Sequence, residues 1–168
     1  MPITPFHFGP AALIKAIGTR KFSFLSFCFA QVVTDTEVLY HIITRQSPLH
    51  GFAHTYIGAC LVGLICGFIV LPIHKVAARF LAKSLYSSLV LNPLTLPIAL
   101  SSCLIGTLSH VFFDSIMHGD MQPLSPLATN NALLKIVSVD ILHAFCLVSG
   151  IVGLVWCGVI AKKHRDTN

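Results

Sequence analysis

Four stretches of the chain are apolar over long runs, and polar residues interrupt them at few places. Residues 55–73 (TYIGACLVGLICGFIVLPI) hold no Asp, Glu, Lys, Arg or His, and 144–161 (AFCLVSGIVGLVWCGVIA) repeat that pattern. Each is close to the ~20 residues a helix needs to cross a bilayer core. The run 84–109 is also uncharged but is broken by Asn92-Pro93 and Pro97. Proline is tolerated in a first helical turn, where its missing N–H would have no partner, so a span is predicted to start near Pro97. A fourth run, 22–42 (FSFLSFCFAQVVTDTEVLYHI), opens apolar and then carries Asp35, Glu37 and His41. It follows a 21-residue leader and no A-x-A site follows it, so it reads as a membrane helix and not as a cleaved signal. The predicted spans are about 22–42, 53–73, 97–117 and 138–161.

Composition agrees with lipid as the solvent. The 168 residues are 55% hydrophobic and only 10% charged, with a mean hydropathy of +0.82, outside the usual range of soluble domains. The fold class predicted is all-α: a polytopic integral membrane helical bundle, one domain over residues 1–168. Lys15, Arg20 and Lys21 precede the first span, Lys75, Arg79 and Lys83 follow the second, and Lys162, Lys163 and Arg165 follow the last. The other two loops carry only Arg45 and Lys135. By the positive-inside rule both termini are expected in the cytoplasm. The net charge of +5 then reflects topology, and no basic and aromatic stripe points to nucleic acid. Lys75, Arg79 and Lys83 recur every four residues, the pattern of an interfacial helix with its basic face on anionic headgroups. The six cysteines form no CxxC pair and read as small apolar packing residues. Gly63 and Gly67 make a GxxxG, a close-packing face within one chain or between copies in an oligomer.

Ionisable groups are expensive in hydrocarbon and mark function where they persist. Of the six acids, Asp166 lies in the C-terminal tail, whereas Asp35, Glu37, Asp114, Asp120 and Asp140 fall within spans or at their outer ends. In LSHVFFDSIMHGD (108–120), His110 and Asp114 share a helix face and His118 stands one turn further. Counted from Pro97, these three rise about 20, 25 and 31 Å above the inner end of their helix. In PLHGFAHTYIG (48–58), His50 and His54 are four apart, which stacks two rings on one helical face, though a turn after Gly51 would let them converge as well. His7 lies thirteen residues before Arg20, and Asp35 fourteen after Lys21. If residues 9–18 form a short re-entrant helix that turns at Arg20-Lys21, both arms climb about 20 Å and His7 meets Asp35 at one depth.

Imidazole with carboxylate, without paired cysteine, is a ligand set for Zn²⁺, or for Mn²⁺ or Fe²⁺. A divalent ion would neutralise these groups and could activate water against an ester or phosphoester. The ligand candidates are His7, Asp35, His50, His54, His110 and Asp114. Glu37 is the candidate general base, sharing the face of Asp35 only if the helix ends or bends near Thr36. His118 is a candidate substrate contact, and Asp140 and His143, three apart on the last span, are candidates to orient the ligands. The site would lie toward the outer side.

The order of these motifs resembles the membrane-bound, predicted metal-dependent hydrolases, a family that includes LexA-regulated inner-membrane proteins of bacteria. That family's pattern runs from an early His through D-x-D, H-R-G-x-T-H-S and S-H-x-x-x-D to a Gly and a Pro-bearing loop. Here the series is His7, Asp35-Thr36-Glu37, His50-Gly51-Phe52-Ala53-His54-Thr55, Ser109-His110 to Asp114, then Gly119 and Pro123. The second acid is Glu in place of Asp, and the Arg after the first His of H-R-G is missing. The resemblance spans residues 5–126 and implies a membrane-embedded hydrolase acting on an ester or phosphoester of a lipid, lipid-linked or small-molecule substrate. Two rival readings are a proton or metal-ion transporter and a non-catalytic membrane protein with a structural metal. The apolar inner halves of all four spans speak against a transporter, which needs polar groups across the whole thickness.

Overall fold

The structure is a computed structural model that describes residues 5–18, 20–81 and 93–166. Among the described residues there are five α-helices, two 3₁₀ turns and no strand. We number the helices α1 (Phe8–Gly18), α2 (Phe24–Thr44), α3 (Tyr56–Leu81), α4 (Leu96–Met117) and α5 (Val139–Asp166). The 3₁₀ turns are Pro5–His7, running into α1, and Phe52–His54, just before α3.

Local chemistry accounts for the boundaries. The Ser23 hydroxyl caps α2 by accepting from the Ser26 N–H. Arg45 takes a left-handed conformation at the other end, where its N–H returns to Ile42, as C-caps commonly do. α4 starts with Pro97 in its first turn, one residue from the position its sequence predicts. α3 passes through Pro72 and continues to Leu81. The separate interfacial helix is therefore corrected for Lys75 and Arg79, which extend α3; Lys83 lies outside the described residues. One proline removes a single backbone bond, and the turns on either side of it hold the helix together.

Three helices, α3, α4 and α5, are long and apolar enough to cross a membrane. Their outward faces are apolar: Leu61, Ile65, Phe68 and Ile69 of α3 are exposed, as are Phe145, Val148, Val152 and Trp156 of α5. Inside stand Gln31, Thr34, Ser102, Thr107, His110 and Asp114, all buried. Polar groups inward and hydrocarbon outward invert the soluble arrangement and match a lipid-facing bundle.

α3 packs on α4, α4 on α2, and α1 on α5. The Gly63/Gly67 face is taken up within the chain. A Cβ on Gly67 would stand 2.9 Å from the Leu100 Cα, and one on Gly63 would stand 2.8 Å from the Thr107 hydroxyl. That hydroxyl in turn lies 2.8 Å from the Ala59 carbonyl, an interhelical bond of the kind that contributes about 0.6 kcal/mol in membrane bundles. α1 crosses α5 with backbones nearly touching: Gly9 lies against Cys146, and Gly153 against Ala12 and Leu13, with no room for a Cβ at either glycine. Lys15 Nζ donates to the Phe22 carbonyl at 2.8 Å, fastening α1 to the turn before α2. The cysteines are free, and four of the six are buried.

Candidate metal centre

Five histidines and two acids meet at one end of the bundle, around Asp114. The i, i+4 spacing on α4 puts His110 Nε2 3.1 Å from Asp114 Oδ2, and Asp35 Oδ1 on α2 approaches the same Nε2 at 3.3 Å. His54 Nε2 and His50 Nε2 stand 3.8 and 3.9 Å from Asp114 Oδ2. His7 Nε2 is 3.6 Å from Asp114 Oδ1, and His118 Nε2 is 3.9 Å from that atom. His7 comes in edge-on to His110 with ring centroids 4.9 Å apart, and His110 in turn contacts Asp35.

His50 and His54 reach the centre from a turn and not from one helical face. The chain is irregular before the Phe52–His54 turn, and α3 begins only at Tyr56. Carboxylates therefore replace helical spacing in aiming the two rings. Glu37 accepts from the backbone N–H of Gly51 and of Ala53, each at 3.0 Å, and from His54 Nδ1 at 2.9 Å. Asp120 accepts from the N–H of Leu49 and of His50 at 3.1 and 3.3 Å, and from His50 Nδ1 at 2.9 Å. Burial alone would raise the Asp120 carboxyl, but the bonds from the His50 ring and backbone outweigh it and hold the group below its ordinary value. An ionised carboxylate only accepts, so the proton sits on Nδ1 and the Nε2 lone pair faces Asp114. The amide oxygen of Gln31, on α2, takes the same part toward Nδ1 of His110 on α4.

Among the described residues, none makes an aligned hydrogen bond to the inward nitrogens of His7, His54 and His110. The Nε2 atoms of His7, His54 and His110 are buried without a hydrogen bond, and the amide nitrogen of Gln31 shares that state. Most of the separations exceed hydrogen-bond length. They are near the spacing of atoms that share a cation: ligands ~2.0–2.1 Å from one Zn²⁺ stand about 2.9–3.4 Å from each other. Asp35, His54, His110 and Asp114 each offer a ligand atom within 4.8 Å of the others, and so do His50, Asp114 and His118. Imidazole Nε2 with Nδ1 tied to a carboxylate is the usual outer-sphere arrangement of metal-bound histidine. The residues fit a divalent metal.

Of the residues singled out from sequence, His7, Asp35, His50, His54, His110 and Asp114 all come together. His118 joins them, stacked on His50 with centroids 4.6 Å apart. Glu37 lies behind His54, because α2 runs on unbroken to Thr44 and turns the Glu37 carboxylate toward the Gly51–His54 segment. Asp140 is exposed at the start of α5. His143 stacks on Phe6, with centroids 4.7 Å apart, and so touches the segment that carries His7. Two residues were not anticipated, Gln31 and Asp120, whose partners are 79 and 70 positions away in the chain. The signal for Gln31 was its place one turn before Asp35 on an apolar helix; for Asp120 it was being one of only six acids.

No protein family, no curated protein and no solved structure gives a match to the chain.

Proposed function

We propose that the protein is a membrane-embedded, metal-dependent hydrolase of an ester or phosphoester bond in a lipid or lipid-linked substrate. The observation that carries this is the convergence of buried, unpartnered imidazole Nε2 atoms on Asp114, with the opposite ring nitrogens of His50, His54 and His110 anchored by Asp120, Glu37 and Gln31. The order of motifs that resembles the membrane-bound metal-dependent hydrolases supports the same reading.

Four spans hold the site. With 21 residues, α2 has a length of about 31 Å, enough for a bilayer core. Its lipid side carries Val32, Leu39 and Ile43, which are exposed, while Gln31 and Thr34 face inward. The eleven residues of α1 reach about half that depth as a re-entrant helix. Both termini lie in the cytoplasm and the site opens toward the outer side of the inner membrane.

His7, Asp35, His50, His54, His110, Asp114 and His118 would hold the ion, with Zn²⁺ favoured by imidazole-rich donors. When bound, it supplies a Lewis acid for the scissile group and lowers the pKa of water toward neutrality. Both oxygens of Glu37 are engaged at the rear of His54, so its role is to position that ring. Proton uptake would fall to the Asp35 oxygen not spent on the metal, the Asp35 side chain being 16% exposed against 5% for Asp114. His118 borders the open side, where the substrate enters. An apolar groove of about 330 Å³ lined by Phe6, Phe8, Gly9, Phe24 and Leu147 begins one residue from His7 and offers a place for an acyl chain.

The test is elemental analysis of protein purified in detergent, wild type beside His110→Ala, with turnover measured on a panel of lipid esters and phosphoesters. Stoichiometric zinc, manganese or iron in the wild type, lost in the variant together with turnover, is the expected result. A wild type free of stoichiometric metal overturns the proposal.

A further inference from the structure

We infer that the centre binds two metal ions bridged by Asp114, one held by the Asp35, His54 and His110 set and one by the His50 and His118 set. This inference rests on the reading of the cluster as a metal site. Seven donor groups surround Asp114 or include it, whereas a single Zn²⁺ takes four and an octahedral ion six. The donors also divide. Asp35, His54 and His110 form one set with Asp114, His50 and His118 form another with it, and Asp114 is the member common to both.

The two oxygens of Asp114 reach different histidines. Oδ2 lies nearest His110, His54 and His50, at 3.1, 3.8 and 3.9 Å, and Oδ1 lies nearest His7 and His118, at 3.6 and 3.9 Å. A carboxylate with separate partners on its two oxygens is the bridging ligand of two-metal hydrolytic sites, where one ion binds the attacking oxygen and the other the leaving one. Each set has one side chain that reaches the surface, Asp35 at 16% and His118 at 18% exposed, while His50, His54 and His110 are 3% exposed or less. The Asp35 set has four donors and the His118 set three, so the first ion binds more tightly and the second keeps positions open for substrate.

Metal-stripped full-length protein in detergent is titrated with Zn²⁺ and with Mn²⁺, following stoichiometry by elemental analysis and the Mn²⁺ form by electron paramagnetic resonance. Two ions are expected to bind in sequence, with a spin-coupled Mn²⁺ pair at saturation. His118→Ala is expected to lower the stoichiometry from two to one and abolish the coupling. One ion per chain without coupling overturns the two-ion inference while leaving the proposed function standing; no bound ion overturns both. The spin-coupled signal is read on the wild type alone, so the test survives a variant that fails to fold.

Discussion

The histidines of α4 and those of the segment before α3 arrive at the same carboxylate by different means. His110 stands four residues before Asp114 on a continuous helix, and the helix itself keeps the two side chains together. His50 and His54 sit on irregular backbone, and each depends on a distant carboxylate that holds both its ring and the adjoining peptide N–H groups. Regular structure aims a ligand through the backbone, whereas a loop needs an anchor for the ring and another for the chain. In Glu37 and Asp120 one side chain does both. Glu37 and Asp120 are therefore as much part of the loop's fold as of the metal site.

That contrast can be broken experimentally. The largest effect is expected from Glu37→Gln. One oxygen gives way to an amide NH₂ facing the N–H groups of the Gly51–Ala53 segment, so zinc affinity should fall by about 100-fold, the upper end for outer-sphere ligand partners. Competition with a chromophoric chelator reads this directly, and an unchanged affinity would remove Glu37 from the account. Asp120→Asn should cost less, about 10-fold, because the Asp120 side chain is 36% exposed and water can replace part of its bonding; the same titration should show the loss in the more weakly held ion. Gln31→Leu sharpens the comparison. It removes the acceptor for His110 Nδ1 but leaves the helix, so its effect should be smaller than that of Asp120→Asn. A loss as large as that of Glu37→Gln would show that the helix does not aim His110.

What could be read in advance followed local spacing. The α4 boundary was visible in Pro97, and the His110/Asp114 pair in its four-residue interval, since both are properties of one helix. That His7 and Asp35 reach one cluster, both against His110, agrees with their nearly equal chain distances from the basic turn. The i, i+4 reading of His50 and His54 failed because Gly51 and the bonds from Glu37 favour a turn over a helix there, an influence from 14 to 17 residues away. Asp140 looked like a partner for the site because charge near lipid draws attention, yet it stands exposed in the first turn of α5. Gln31 offered only its four-residue interval to Asp35, and Asp120 no spacing at all, because their partners lie 79 and 70 positions away. The run of Lys75 and Arg79 resembled an independent surface helix because basic residues near a membrane end look the same on a new helix as on the tail of the old one.

The crossing of α1 over α5 bears on how the centre is assembled during synthesis. His7 is translated before the wall against which its helix rests, from Cys146 to Gly153. A chain emerging from the ribosome therefore carries Asp35, His54, His110 and Asp114 before the place for His7 exists. On the proposed metal reading, loading is completed only after α5 has been made, and a chain cut short before α5 keeps a set of ligands it has no means of closing.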